Sequence, residues 1–310
     1  MNLDHRIITT TLKADAEGKN LDQYLAGRFS YHSLEKWREI IDDGQIAVND
    51  RHCPFNSILH EGDIIVYTPQ GLEEPPVSFD YSIVYEDDFL FVINKNGNLP
   101  CHPAGPFFKH TLWHHVSSRY GKIYLINRLD RETSGLLIAA KSSEVAGKFA
   151  KQLDQIEKEY RVLVYGDFIG EVDAKGWLIK DSSSIVRKKR HFVFADQLPT
   201  DAIKPQEVRT ILEGLNFDGH YSLVKAVLKS GRLHQIRATM FSLGFPVVGD
   251  KLYGPDDRIY LKIRDNKITD ADRQKLVMPR QALHSYRLAF VHPVTNKPMS
   301  FVAEVPEDFV

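Results

Sequence analysis

The sequence predicts an α+β protein: a mixed, largely antiparallel central sheet flanked by helices and loops, preceded by a small α/β unit. Three observations carry that expectation. Strand-like runs recur through residues 81–306 with helical patterns between only some of them, which argues against a βαβ repeat. The run YSIVYEDDFLFVINK reads as two strands folded about Glu86-Asp87-Asp88, a β-hairpin. A stiff polar stretch rich in Pro and Gly, TPQGLEEPPVS, divides the chain early. It separates a small domain with an N-terminal extension, residues 1–68, from a larger domain at 79–310, with a linker at 69–78.

In the first unit, Leu21, Tyr24 and Leu25 predict a helix before Arg28. Ser33 is placed to cap a second helix, LEKWREIIDDG, whose Leu34, Trp37, Ile40 and Ile41 share one face and which Gly44 ends. QIAVND reads as a strand closed by an Asn49-Asp50 turn, and EGDIIVY as a strand entered through Glu61-Gly62-Asp63. In the larger domain the hairpin comes first. A helix over His110–Tyr120 follows, with Leu112, His115 and Val116 on one side. Gly135–Ala140 is a buried strand, and Ser142 or Ser143 caps a helix with Val145, Phe149 and Leu153 inward. KEYRVLVYG and YSLVKAVLKSG are strands. RLHQIRATMFSLG is a helix with Ile236, Met240 and Leu243 inward, stopped by Gly244. ALHSYRLAFVHP and PMSFVAEVP close the sheet. Between Gly254 and Arg280 lies a charged insertion whose first part reads as a short surface helix.

Composition narrows the function classes. With 43% hydrophobic and 26% charged residues, the 310-residue chain is of ordinary globular type. No apolar run reaches membrane-spanning length, and the start MNLDHRIITT lacks a secretory pattern, so the expected location is cytoplasmic. Two cysteines, Cys53 and Cys101, with no CxxC pair, argue against a disulfide framework and a cysteine-zinc site. The net charge of −1 argues mildly against a nucleic-acid partner, but phosphate recognition depends on where charge lies. The densest basic run is Arg187-Lys188-Lys189-Arg190-His191, which reads equally well as a solvated loop.

The stretch with chemistry in it is NRLDRETSGLLIAAK, residues 127–141. In an extended chain Arg128 and Asp130 face the same side, and a neighbouring cation keeps a carboxylate ionised. Thr133-Ser134-Gly135 supplies a tight turn that would present Asp130 at the mouth of a sheet. Such a carboxylate can act as a nucleophile toward a sugar carbon or as a base. On spacing alone, a turn-capping aspartate paired with a surface arginine explains Asp130 better.

The wider pattern changes that balance. NRLDRETSGLLIAAK closely resembles the signature of the RluA-type RNA pseudouridine synthases, usually H-R-L-D-x-x-T-S-G-L-L. YEDDFLFVINKNGNLPCHP resembles the family's upstream hairpin, KEYRVLVYG its Lys-x-Tyr strand, SGRLHQIRATMFSLGFPVVGDKLYG its Gly-Arg-x-His-Gln-Ile-Arg motif, and RQALHSYRLAFVHP its closing strand. These lie in the family's order across residues 79–306. More weakly, the first unit resembles the S-four-type RNA-binding domain found ahead of many such catalytic domains.

The resemblance implies the pseudouridine synthase fold and an isomerase that needs no cofactor or metal. Asp130 would break the bond between uracil and ribose, either by attacking C1′ or by removing a proton from C2′. The uracil then turns and is rejoined through C5. Tyr160 would stack on the base and take the final proton, and Arg232 would pair with Asp130. Arg128, beside Leu129, would fill the gap left by an extruded uridine. His234, Gln235 and Arg237 would support the site and the RNA backbone, with Arg187, Lys188 and Lys189 gripping phosphates. Ribosomal RNA is the expected partner ahead of transfer RNA, the protein acting as a monomer without membrane contact.

Departures from the pattern are Asn127 for the histidine, Asn96 for a proline, Ser230 for a threonine, and Gln206-Glu207-Val208 after Lys204-Pro205. They touch loop geometry and substrate choice. Two rivals are a non-catalytic RNA-binding protein on the same fold, and a hydrolase pairing Asp130 with Glu132.

Overall fold

The computed structural model describes residues 7–29, 32–70, 74–184, 186, 188–254, 256–264 and 267–309. The chain divides into two units, one of residues 1–76 with 102–118, the other of residues 77–101 with 119–310.

The first unit contains β1 (Ile8–Thr11), α1 (Leu21–Arg28), α2 (Leu34–Asp42), β2 (Ile46–Val48), β3 (Ile64–Tyr67) and most of α3 (Leu112–Tyr120). Its strands form an antiparallel sheet in the order β1-β3-β2. Ser33 Oγ accepts the Lys36 N–H at 3.2 Å, which satisfies one orphan donor at the start of α2. The helical spacing then turns Trp37, Ile40 and Ile41 onto Leu21, Leu25, Ile46 and Ile65 in one core. Glu74 accepts the backbone N–H groups of Phe108, Lys109 and His110 at 2.7–2.8 Å, fixing the segment that leads into α3. On α3 it is Trp113, not His115, that joins Leu112 and Val116 inside; His115 is exposed.

The second unit holds β4 (Tyr81–Glu86), β5 (Leu90–Lys95), β6 (Tyr124–Leu125), β7 (Ser134–Ala140), α4 (Ser143–Ala150), β8 (Glu157–Tyr165), β9 (Glu171–Lys180), β10 (Arg190–Phe194), β11 (Gln206–Phe217), β12 (Tyr221–Leu228), α5 (Gln235–Ser242), α6 (Arg258–Arg264), α7 (Asp270–Leu276), β13 (Leu283–Val291) and β14 (Pro298–Val302). They build an 11-stranded mixed sheet in the order β10-β9-β11-β12-β8-β13-β7-β5-β4, with β14 on β13 and β6 on β7. Every pairing is antiparallel except β7 with β13, which meet in parallel at Ser134–His284 and Gly135–Ser285.

That parallel contact positions the site. Gly135 has φ +107°, and a Cβ there would lie 2.3 Å from the Ser285 carbonyl oxygen, so only glycine lets β13 come this close. All seven residues of β7 are buried, which explains the continuous apolar run after Gly135. Ser142 caps α4, and Val145 and Phe149 pack inward. Leu153 instead leaves the helix for a 3₁₀ turn and is 41% exposed. The insertion carries two short helices, α6 and α7.

Candidate active site

The loop entering β7 is tied down residue by residue. Asn127 Oδ1 accepts the Ile138 N–H at 2.8 Å. The Cys101 thiol donates to the Leu129 carbonyl at 3.2 Å and accepts the Leu129 N–H at 3.3 Å, with both residues buried. The Thr133 N–H donates to the Asp130 carbonyl at 3.1 Å, closing a turn with Arg131 and Glu132 at its tip. Lys95, fully buried, donates to the carbonyls of Asn96 at 2.8 Å and Arg131 at 3.2 Å. From β13's approach, Gln281 Nε2 donates to Thr133 Oγ1 at 2.6 Å and Arg280 Nη1 reaches Ser134 Oγ at 3.3 Å. Asp130 is therefore presented on a braced backbone, with 27% of its side chain still exposed.

Asp130's cationic partner is Arg237. Its Nη1 donates to Asp130 Oδ2 at 2.6 Å, while Nε and Nη2 grip Asp250 Oδ2 and Oδ1 at 2.6 and 2.8 Å. Asp250 also accepts the N–H groups of Leu252 and Tyr253 at 2.9 Å each, so the forked guanidinium is aimed before it meets Asp130. Gly249 makes this turn possible: its φ is +74°, and a Cβ would meet the Arg280 carbonyl oxygen at 2.0 Å. Burial alone would raise the Asp130 carboxyl. The Arg237 charge outweighs it and, with a hydrogen bond from Gln281, holds the group below the usual carboxylate range. Asp250 is likewise held down by Arg237 against its burial.

The pairing of Asp130 with Arg232 expected from the sequence is thus corrected. Arg232 lies in an exposed turn ahead of α5, whereas Arg237, in the first turn of that helix, points into the interior. Gln235 stabilises the turn: its Oε1 accepts from Ser230 Oγ and the Arg232 N–H, and its Nε2 donates to the Arg209 carbonyl and Thr210 Oγ1. It is buried and its hydrogen bonds are spent inside the fold, so it supports the site and does not face a substrate. His234 Nε2 stands 4.0 Å from Asp130 Oδ2, with its other nitrogen 3.1 Å from the Tyr253 hydroxyl.

Tyr160, on β8 and opposite Ser285 of β13, is 6% exposed. Burial, against the lowering influence of Ser285 and with help from the Asp130 charge, pushes its phenol up to about 12. The two groups sense each other within one site, and the phenol is neutral at neutral pH. Arg128 is exposed and makes no hydrogen bond or ion pair with the described residues; Leu129 beside it is buried.

The basic run divides. Arg187 lies outside the described residues. Lys188 is exposed, its ammonium 4.5 Å from the centre of the Tyr260 ring. Lys189 is corrected: it is 5% exposed, paired with Asp257 at 3.0 Å and set over the Phe241 ring, a buried anchor and not a phosphate contact. Glu132 sits in a turn, where strand alternation does not apply, and is ion-paired with Lys251 and Arg131. Those cations leave it poorly placed as a second catalytic carboxylate. Sequence reasoning missed Asp250, Tyr253 and Gln281. Asp250 and Tyr253 lie in the quoted run VVGDKLYG, whose glycines were the available signal.

Known proteins can be set beside this geometry. Residues 89–242 match the family described as RNA pseudouridylate synthase. The ribosomal large subunit pseudouridine synthase D of Zymomonas mobilis is 30% identical over 318 residues, covering 96% of this chain and 94% of that protein. The mitochondrial tRNA pseudouridine(32) synthase of Saccharomyces cerevisiae is 27% identical over 256 residues, covering 82% of this chain and 54% of that protein. Among solved structures, human RNA pseudouridylate synthase domain containing 1 superposes with a TM-score of 0.58 at 23% identity, covering 77% of this chain and 88% of that one, which shows a shared fold.

Proposed function

The chain belongs to the RNA pseudouridine synthase family and is an isomerase, and from that membership we propose that it converts uridines of large-subunit ribosomal RNA to pseudouridine with Asp130 as the reacting carboxylate. The observation that carries the assignment is Asp130 itself: ionised by Arg237, braced from beneath, and still partly exposed.

In this reading Asp130 attacks C1′ or takes a proton from C2′, and the bond between C1′ and N1 of uracil breaks with its electron pair leaving on the base. The uracil turns and C5 bonds to C1′ as the Asp130–C1′ bond breaks, or as Asp130 returns the proton to C2′; the C5 proton is lost and N1 gains one from the surroundings, so the product is an isomer and atoms balance. Arg237 supports the charge on Asp130 in the resting state. Tyr160 supplies a neutral ring for the uracil to stack on. To act as the C5 proton acceptor it would first have to give up its own proton, which its burial opposes. Arg128, exposed and unpaired among the described residues, is free to enter an RNA stack as the uridine leaves. The first unit, with its helix pair on a three-stranded sheet, serves as an S-four-like second grip on RNA.

Ribosomal RNA is favoured by the near full-length relative from Zymomonas mobilis, which is named for the large subunit. Transfer RNA is the second reading, favoured by the yeast relative over part of its length. Mapping pseudouridines in total RNA from cells with and without the gene decides between them. For the chemistry, Asp130→Asn is expected to abolish tritium release from RNA carrying 5-tritiated uridine while RNA affinity stays within about threefold, the charge being replaced by an amide of the same shape. Tritium release at the wild-type rate by that variant would remove Asp130 from the reaction.

A further inference from the structure

Tyr253 is fully buried, and its hydroxyl meets two groups: the Arg190 backbone N–H at 3.0 Å and His234 Nδ1 at 3.1 Å. Having accepted from Arg190, the phenol must place its own proton on an acceptor. Among the described residues Nδ1 is the acceptor it reaches, and a buried O–H left without one is unfavourable. Nδ1 therefore accepts, and the neutral ring carries its proton on Nε2. Burial and the Arg237 charge keep that ring neutral, pulling it down to about 4 with help from Lys188, although Asp130 and Asp250 act the other way. A carboxylate facing Nε2 favours the same tautomer, since an N–H dipole is attracted to it and a lone pair is repelled.

Nε2 and Asp130 Oδ2 stand 4.0 Å apart. That is too long for a hydrogen bond, but one oxygen at roughly 2.8 Å from each would bridge the separation. The oxygen would accept from Nε2–H and donate to the carboxylate, which requires a hydroxyl. We propose that His234, held in its Nε2–H tautomer by Tyr253, and Asp130 together grip the ribose 2′-hydroxyl of the target nucleotide. The inference rests on the first of the two routes proposed above, Asp130 acting at C1′. The 2′-hydroxyl is on the adjacent carbon, and within an RNA chain the 3′ oxygen is a phosphodiester with no proton to donate. His234 then touches substrate, Tyr253 is a positioning residue, and the pair distinguishes ribose from deoxyribose at the reacting position.

The test uses a synthetic RNA stem–loop containing a uridine that the wild-type protein converts, and a counterpart with 2′-deoxyuridine at that one position. Each competes against a labelled uridine substrate, so the readout does not require the deoxy RNA to react. The wild-type protein is expected to need about tenfold more of the deoxy competitor, the scale of one or two lost hydrogen bonds. His234→Leu and Tyr253→Phe are expected to shrink that ratio by about three- to fivefold, and His234→Gln, whose amide can replace the Nε2–H, to restore most of it. Tyr253→Phe keeps the ring that faces Arg237 at 5.1 Å, so it carries the test should His234→Leu fold poorly. A wild-type ratio near one, an unchanged ratio in the variants, or equal weakening on both competitors would overturn the proposal. A wild-type protein that converts no uridine would instead overturn the assignment of function.

Discussion

Asp130 keeps its charge because a second carboxylate, Asp250, holds the guanidinium that faces it. The arrangement is a chain of anion, cation and anion, buried at Asp250 and Arg237 and partly exposed at Asp130, and Arg237 alone supplies donors to both ends. A lysine brings one compact ammonium and cannot bridge two carboxylates in the same way. Arg237→Lys is therefore expected to lower kcat by about a hundredfold, and Arg237→Met to cost ~3–5 kcal/mol of stability by leaving both anions without a cation. The pH dependence follows from the direction of the shifts. A carboxyl whose folded pKa lies below its unfolded value adds stability above the unfolded pKa, and loses it as pH falls through the folded one. For Asp130 and Asp250, both held down by Arg237, that loss begins below about pH 4. In Arg237→Lys, burial regains weight and the acidic limb of the rate profile should move toward neutrality. A limb that stays in place in single-turnover assays across pH would mean that Arg237 does not set the charge of Asp130.

Elements carry the site through one close approach, where β7 and β13 meet in parallel at Gly135. Gly135→Ala puts a Cβ into the Ser285 backbone and strains φ as well, so a loss of roughly 3 kcal/mol or more is expected in chemical denaturation. The loop ahead of β7 should loosen with it, so kcat should fall more than RNA affinity. Much of this framework was legible. The α2 cap at Ser33, the β4–β5 hairpin and the buried run of β7 each follow from local pattern, because local sterics and burial decide them. What escaped were β1, β6, β9, β10, the whole of β11, and α7 in the insertion. EVDAKGWLIK alternates strongly polar with apolar residues and contains a glycine that a Cβ could not replace, since Val193 O would lie 2.0 Å from it. The alternation is itself a strand signal that was passed over; what a local reading does not contain is the pairing with β10 and β11 that requires the glycine. The site shows the same division. Asp130 and Tyr160 stand in motifs that point to them, but the choice between Arg232 and Arg237 depends on where α5 begins. Helix ends are set by turns such as the one Gln235 knots together.

At the scale of the whole molecule, a net charge of −1 has to be reconciled with a polyanionic partner. The reconciliation is local. Many cations are spent within the protein: Lys189 on Asp257, Arg237 on two aspartates, Arg280 on Asp308 and Lys251 on Glu132. Arg128, Arg232 and Lys188 remain exposed on the second unit, without an ion pair among the described residues. If these three neutralise phosphates, each releases counterions, and the slope of log affinity against log salt should flatten by about 0.7–0.9 per residue. Replacing all three with alanine is expected to flatten it by roughly 2 to 3, with thermal stability unchanged, since exposed side chains contribute little to it. Lys189→Met should do the reverse, lowering stability while leaving the salt slope as it was, because its ammonium faces aspartates and an aromatic ring and not solvent. Equilibrium titrations of one RNA at several salt concentrations separate the two kinds of lysine. A slope unaffected by the triple substitution would return Arg128, Arg232 and Lys188 to ordinary solvated surface, and the electrostatic grip on RNA would then have to come from other exposed cations such as Lys175, Lys204 and Lys229.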